Sequence, residues 1–334
     1  MNYIGSKHKL IPFIKKTIYS VVGQDLSNKI FCDIFAGTGI VGRNFKTEVK
    51  TIISNDLEYY SYILNQNYIG NHQPIINQNE LISELNSVKS LEGFIFKHYC
   101  RGGIENRKYF SDENGKKIDT IRQNIENWKT NNKIDNCTYY FLLASLLESA
   151  DKVANTASVY GAYLKHLKKS ASKILILSSA EFELCENIHL VFQKDSNQLI
   201  KEIEGDILYL DPPYNTRQYG ANYHILNTIA EYKDFVPKGK TGLNEYKKSK
   251  YCSKQTVTEE LEYLIRYSQF EYIFLSYNNE GLMSVDKIKN IMEKYGKYDL
   301  SSINYQRFKA DKDENRNHKA SETKEYLHIL QKNG

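Results

Sequence analysis

The 334-residue chain is poor in the residues that staple or anchor a fold. It has five cysteines (Cys32, Cys100, Cys137, Cys185 and Cys252), and no two of them form a C-x-x-C pair. An odd, scattered set argues against a disulfide framework and against a zinc site, and it suits a reducing cytoplasm. No apolar run approaches the roughly 20 residues that a membrane-spanning helix needs. The longest, Tyr139 to Leu147, is short and meets Glu148. The opening MNYIGSKHKL lacks the apolar stretch of a secretory leader, so no such leader is expected. Repeats and low-complexity tracts are also missing. The net charge is only +5, a weak pointer to a polyanionic partner. Tyrosine, by contrast, is abundant at 27 residues. That number suits a polar interface, or it reflects an AT-rich genome, which also enriches Lys, Asn and Ile.

Hydrophobic spacing sketches the organisation. Lys7 to Val22 places Leu10, Ile14 and Ile18 on one helical face. Lys29 to Phe35 and Thr51 to Ser54 read as buried strands, with a helix opening at Asn55-Asp56 and running to Ile69. Strand, glycine turn, helix and strand in that order open a parallel α/β sheet. The pattern then breaks. Residues 101–119 form a Gly- and charge-rich stretch that predicts a loop, and helices are expected over Ile118 to Lys129 and Tyr139 to about Lys169. Strand signals return at Ile188 to Gln193, Asp206 to Leu210 and Tyr272 to Tyr277. Two more, near Tyr298 to Tyr305 and at Glu325 to Leu330, suit an antiparallel hairpin at the sheet edge. The expected division is one α/β domain from 1–79 and 181–334, interrupted by a helical insertion over 80–180.

Gly37 to Gly42 read G-x-G-x-x-G after the first strand, with Asp56 downstream. That is the fingerprint of a dinucleotide-binding turn, but a lone match is weak. The deciding stretch is DILYLDPPY at 206–214. Two of the chain's five prolines stand side by side there. Their rings fix φ and remove two backbone donors, so the turn after the strand is stiff. In a parallel sheet it lies at the carboxyl edge, where ligands bind. The Asp211 carboxylate and the Pro212 carbonyl can accept the two N–H bonds of an exocyclic base amine. That arrangement favours a tetrahedral nitrogen with a free lone pair. Pro213 stiffens the turn and Tyr214 can stack on the base, which must first leave the duplex. A dehydrogenase leaves this motif unexplained.

DPPY at Asp211–Tyr214, with FAGTG at Phe35–Gly39, resembles the amino-methyltransferases that use S-adenosylmethionine. The order of glycine turn, helical insertion and DPPY is similar to the alpha-group, Dam-like N6-adenine DNA methyltransferases. NYIGSK at 2–7, DKVANTASVYGAYLK at 151–165 and YNTRQYGANYH at 214–224 add to the likeness, which spans nearly the whole chain. The resemblance implies a Rossmann-like methyltransferase sheet with a helical target-recognition insertion. It also implies S-adenosylmethionine as cofactor, duplex DNA as substrate, and a cytoplasmic modification enzyme with a cognate restriction endonuclease. Two rivals stay open: an N4-cytosine or RNA-adenine enzyme, and an inactive DNA-binding subunit.

The cofactor candidates, with Asp211 of the DPPY motif among them, follow from that reading. Gly37 and Gly39, with Phe35 and Ala36, form a turn that brings backbone close to the methionine part, where a Cβ would intrude. Gly42 eases helix packing. Asp33 can pair with the methionine ammonium, or it is a strand-end acid with a structural bond. Asp56 binds the ribose hydroxyls, or it caps the next helix. By resemblance Tyr3 and Lys7 contact the cofactor, Lys7 through its carboxylate. Asp195 accepts from the adenine amine, or it is a plain turn acid. For DNA, the candidates are Arg217, Tyr219, Lys247, Lys248 and Lys250, within or beside the lysine-rich stretch 236–254. That stretch is either a solvated mobile loop or a phosphate-contacting one. Tyr277 in SYNN (276–279) lies near the target base or packs in the core. Arg101, Arg107, Lys108, Lys116, Lys117 and Arg122 of the insertion are candidates for reading the target site.

Overall fold

The computed structural model describes residues 7–306 and 322–333. Packing divides them into two units. A sheet unit takes in 7–57, 187–218 and the described residues from 248 onward, and a helical unit takes in 58–186 and 219–247. This division differs from the expected one, because residues 58–79 and 219–247 pack with the helices. Within the helical unit the Tyr60 amide donates to Asn227 Oδ1 at 3.0 Å, and the Tyr60 and Tyr223 rings lie 5.6 Å apart.

In the sheet unit, β-branched and aromatic runs form strands β1 (Ile30–Asp33), β2 (Thr51–Asn55), β3 (Leu190–Phe192), β4 (Glu204–Leu210) and β5 (Gln269–Asn278). Strands β6 (Gly296–Gln306) and β7 (Glu322–Lys332) follow. Among the described residues the strand order is β3-β2-β1-β4-β5-β7-β6. The first five pair in parallel, and β7 joins β5 and β6 antiparallel, giving the edge hairpin. The chain winds outward from β1 through β2 to β3, then crosses back to β4. The switch point therefore lies between β1 and β4, where open α/β sheets bind ligands. Asp33 ends β1, and Asp211 follows β4 at the same edge.

Each face of the sheet is covered. Cys32, Leu208, Leu210, Ile273 and Leu275 pack on Leu261, Leu264, Ile288 and Met292 of two later helices. On the other face Phe31 stacks on Phe45 at 4.5 Å and lies 6.4 Å from Tyr209. The first helix runs Ile11–Val22 after a short turn at His8–Leu10. It begins four residues later than expected because Pro12 suits the first helical turn, where its missing N–H costs nothing.

The helical unit departs most from expectation. Ser111 caps a helix over Asp112–Thr130, so the second part of the predicted loop is helical. Gly115 sits within that helix because a Cβ there would come 2.2 Å from Cys100 Sγ. The next helix, capped by Asp135, covers Asn136–Val153 and stops far short of Lys169. Buried Asn155 ends it. The Asn155 amide group donates to the carbonyls of Lys108 (2.8 Å) and Leu164 (3.0 Å), and its Oδ1 accepts from the Lys168 amide at 3.0 Å. A side chain that satisfies the backbone of a loop competes directly with helix continuation.

Candidate active site

The glycine turn is set by short-range geometry. Gly37 (φ 53°) and Gly39 (φ 73°) are left-handed, a conformation that costs other L-residues about 1–2 kcal/mol. The Gly39 amide donates to the Ala36 carbonyl at 2.7 Å, and the Ala36 amide to the Asn55 carbonyl at 2.9 Å. Asp56 Oδ2 accepts from the Gly37 amide at 2.8 Å, so this carboxylate shapes the turn itself. The helix beyond begins only at Tyr59, with Glu58 at its cap position, and Asp56 is not its cap. Asn55, which sequence reasoning passed over, is buried beneath. Its amide group donates to the Ile34 and Lys194 carbonyls at 3.0 and 3.1 Å, and its Oδ1 accepts from the Lys194 amide at 2.9 Å. It thereby ties the ends of β1, β2 and the turn after β3 into one edge.

Asp33 is 1% exposed, and its Oδ1 has no hydrogen-bond partner. Burial, reinforced by the neighbouring Asp211, pushes its carboxyl up to about 8, although the Gly42 and Phe35 amides pull against the shift. Gly42, read as a packing residue, thus presents its backbone to this acid. Asp211 follows β4, and its Oδ1 lies 3.0 Å from Nζ of buried Lys7. Burial pushes the Asp211 carboxyl up to about 6; Lys7 opposes that and Glu325 adds to it. Lys7 itself is held well above the ordinary lysine range, with burial outweighed by the combined pull of Asp211, Tyr214 and Glu325. Lys7 therefore serves the DPPY turn.

The rest of that turn fits around the pair. Pro212 is buried, and among the described residues nothing donates to its carbonyl. The Tyr214 ring is half-buried, stands edge-on to Tyr277 at 5.9 Å and lies 5.4 Å beneath the Lys7 ammonium. The Tyr214 carbonyl accepts from the Leu282 amide at 3.0 Å, which fixes the loop beyond SYNN against the turn. Tyr277 is 1% exposed and belongs to the core, so its packing role and its contact with Tyr214 coexist. Two further groups were invisible to sequence reasoning. Tyr209 is fully buried on the Asp33 side of the sheet, opposite Asp33 in the β1–β4 register. Glu325, opposite Asn278 in the β5–β7 register, is 8% exposed, and its Oε2 has no hydrogen-bond partner. Only the strand register reveals either one. Two carboxyls, Asp211 and Glu325, thus act on one lysine.

A family model, the D12 class of N6 adenine-specific DNA methyltransferases, matches residues 3–291. The chain belongs to this family. The methyltransferase is 64% identical to the type II methyltransferase M.NlaIII of Neisseria lactamica, over 99% of both chains. It is 39% identical to M.CviAII of Paramecium bursaria Chlorella virus 1, over 93% of both. It is 36% identical to M.FokI of Planomicrobium okeanokoites, over 99% of its own length and 53% of that protein. It is thus an enzyme acting on DNA adenine. Among its described residues no helix is long and apolar enough to cross a membrane.

The remaining candidates of the methyltransferase fall unevenly. Asp195 is exposed and caps Ser196–Leu199, its Oδ1 accepting from the Asn197 and Gln198 amides at 3.0 and 3.2 Å. It is at least the turn acid. Tyr3 lies outside the described residues. In the sheet unit Arg217 and Lys248 are exposed, while Lys250 is paired with Glu260 at 2.9 Å. The Gln218 side chain holds Ser249, so these two stretches share a mount. In the helical unit Lys247 is exposed, and Tyr219 stacks on Tyr223 at 6.0 Å. The 239–242 turn is anchored rather than mobile. Arg107 donates to the Gly239, Lys240 and His98 carbonyls, and the Tyr99 hydroxyl donates to the Gly242 carbonyl. Arg107 and Arg122 are both 4% exposed and committed to backbone carbonyls, so neither is available to read a base.

Proposed function

We propose that this methyltransferase transfers a methyl group from S-adenosylmethionine to N6 of an adenine flipped out of duplex DNA. In this reading it is the cytoplasmic modification enzyme of a type II restriction–modification system, with a cognate endonuclease as its partner. The observation that carries the reading is the Asp211 carboxylate, paired with a Lys7 ammonium that lies over the Tyr214 ring, next to a Pro212 carbonyl to which nothing donates among the described residues. The names of the similar proteins, type II methyltransferases, support the modification role.

The residues fit the cofactor. The unpartnered, buried Oδ1 of Asp33 is the complement of an ammonium group. Left-handed Gly37 and Gly39 offer backbone without a Cβ. Asp33, Phe35, Ala36, Gly37, Gly39 and Asp56 would hold it, with Tyr3, Lys7 and Asp195 at its ends. When bound, S-adenosylmethionine supplies an electrophilic methyl group. Asp211 and the Pro212 carbonyl accept the two N–H bonds of the target amine, and Tyr214 supports the face of the base. Pro213 keeps the turn stiff. Lys7 favours the ionised form of Asp211, the form that accepts. The amine's proton leaves after methylation, when that nitrogen has become acidic, so no strong base is needed. Arg217, Tyr219, Lys247, Lys248 and Lys250 face the DNA.

The test is plasmid DNA incubated with the purified protein and methyl-labelled S-adenosylmethionine, digested to nucleosides and resolved by mass spectrometry. Label in N6-methyladenine at one recurring sequence is expected. Label in N4-methylcytosine, or none in DNA, overturns the reaction assigned. An Asp211→Ala protein that methylates like the wild type overturns the catalytic assignment.

A further inference from the structure

Residues 154–186 of the helical unit contain no helix or strand. A stretch of that length without regular structure is uncommon inside a folded unit and is usually functional. It is also chemically one-sided. Residues 152–180 include Lys152, Lys165, Lys168, Lys169 and Lys173, with no Asp or Glu. That excess of five charges equals the net charge of the whole chain. Among the described residues none of these five lysines has a carboxylate partner, whereas Lys238 and Lys250 of the other lysine-rich loop are paired with Glu245 and Glu260. Lys152, Lys165, Lys169 and Lys173 are exposed.

The loop is nonetheless firmly built. Besides the three side-chain bonds of Asn155, its amide donates to the Tyr109 carbonyl at 2.7 Å. Its own carbonyl accepts from the Leu164 amide at 3.0 Å. The Tyr160 amide donates to the Asn222 carbonyl at 2.7 Å, and the Tyr160 hydroxyl donates to Asp151 at 2.9 Å. Asn222 lies on the segment that leaves the DPPY turn. Lys108 Nζ donates to the Lys165 carbonyl at 3.0 Å, and Lys168 Nζ to the Thr156 carbonyl at 2.7 Å. At the far end Asn114 brackets the chain, accepting from the Leu175 amide at 2.8 Å and donating to the Lys173 carbonyl at 2.9 Å. Ser158 is held at φ 142°, a backbone strain that such over-determined loops sustain at working surfaces. Uncompensated like charges on a stiff support lose little entropy when they meet a fixed row of anions.

We propose that the loop 154–173, with Lys173 at its end, docks the phosphate backbone of duplex DNA through Lys165, Lys169 and Lys173. This rests on DNA being the substrate. Lys108 and Lys168 hold the loop's shape, and the buried Arg107 and Arg122 take no part in contact. The loop thus adds a phosphate-docking surface to the insertion, where sequence reasoning had named Arg101, Arg107, Lys108, Lys116, Lys117 and Arg122 as readers of the target site.

The test compares a Lys165→Ala/Lys169→Ala/Lys173→Ala protein with a Lys287→Ala/Lys297→Ala control, whose lysines are exposed on the sheet unit. Dissociation constants for a plasmid-derived duplex are measured by fluorescence anisotropy over a range of salt. Each phosphate contact contributes about 0.9 to the slope of log affinity against log salt, so the triple variant should lose about 2.7. The control should keep the wild-type slope, and S-adenosylmethionine binding by calorimetry should be the same in all three proteins. A triple variant with the wild-type slope overturns the proposal. Should that variant not fold, acetylation of wild-type lysines with and without duplex decides instead. Protection of Lys165, Lys169 and Lys173 is expected, and unprotected lysines overturn it. Wild-type protein that binds duplex yet leaves it unmethylated overturns the proposed function while the slope still judges the loop.

Discussion

Asp33→Asn is the most informative single change. The Asp33 carboxyl ionises near 3.8 in an ordinary setting and near 8 in the fold. The folded protein therefore holds a proton that the unfolded chain releases. Below pH 3.8 this group has no effect on stability. As pH rises from about 4 to 8 the unfolded chain gains by ionising, and stability falls. Above 8 both states are ionised and the loss is constant. Each pH unit in the window is worth about 1.4 kcal/mol, so the loss at pH 7 is on the order of 4 kcal/mol. Asparagine keeps the shape and does not titrate. Its extra N–H brings a fixed cost of about 1–3 kcal/mol if unpaired, but that cost does not change with pH. The assay is urea unfolding of cofactor-free protein at pH 5, 6, 7 and 8. The stability of the variant relative to wild type should climb across that series by on the order of 4 kcal/mol. Calorimetry at pH 9, where Asp33 is ionised, should show S-adenosylmethionine binding weakened by roughly 10- to 100-fold, the value of a hydrogen bond between charged groups. A flat difference across the series would refute the argument that Asp33 is a buried, protonated acid. Undiminished cofactor affinity would refute its role as the ammonium site.

Other outcomes follow from the same geometry. The pH profile of kcat/KM, which reports groups of the free enzyme, should show an acid limb near the Asp211 value of about 6, because the ionised carboxylate is the stronger acceptor. Removing its partner in Lys7→Met should move that limb upward by about 1 to 3 pH units, with activity partly restored at high pH; a limb that stays put would remove Lys7 from the site. Asp211→Asn should lower kcat by about 100-fold or more with cofactor affinity nearly unchanged, as judged by single-turnover methylation against calorimetry. Gly39→Ala should cost about 1–2 kcal/mol in urea unfolding, from its left-handed backbone. Asn155→Ala should cost about 1–3 kcal/mol by the same measurement, since it removes the partner of two carbonyls and an amide in part-buried hydrogen bonds.

Much of the sheet was legible because its signals are local. Buried runs make strands, and left-handed positions demand glycine, so β1, its turn and β2 could be placed from a few residues each. The edge hairpin of β6 and β7 could be expected from two apolar runs near the end of the chain. The same locality explains the errors. Tyr139 to Lys169 has a helical composition, and nothing within it announces that Asn155 will find the carbonyls of Lys108 and Leu164. Arg107 and Arg122 look like base readers until burial commits them to carbonyls.

By itself the sequence determined the chemistry on offer. A carboxylate, a proline carbonyl and an aromatic ring in four consecutive residues offer an exocyclic amine two acceptors and a stacking face, and their spacing is covalent. Only the tertiary structure decided the electrostatics of that cradle. Asp33 and Asp211 are brought together by the β1–β4 pairing, Lys7 arrives from the other end of the chain, and Glu325 arrives on an antiparallel strand. Burial and charge proximity depend on distances in space, and those distances were set by the strand order rather than by any residue's neighbours in the chain.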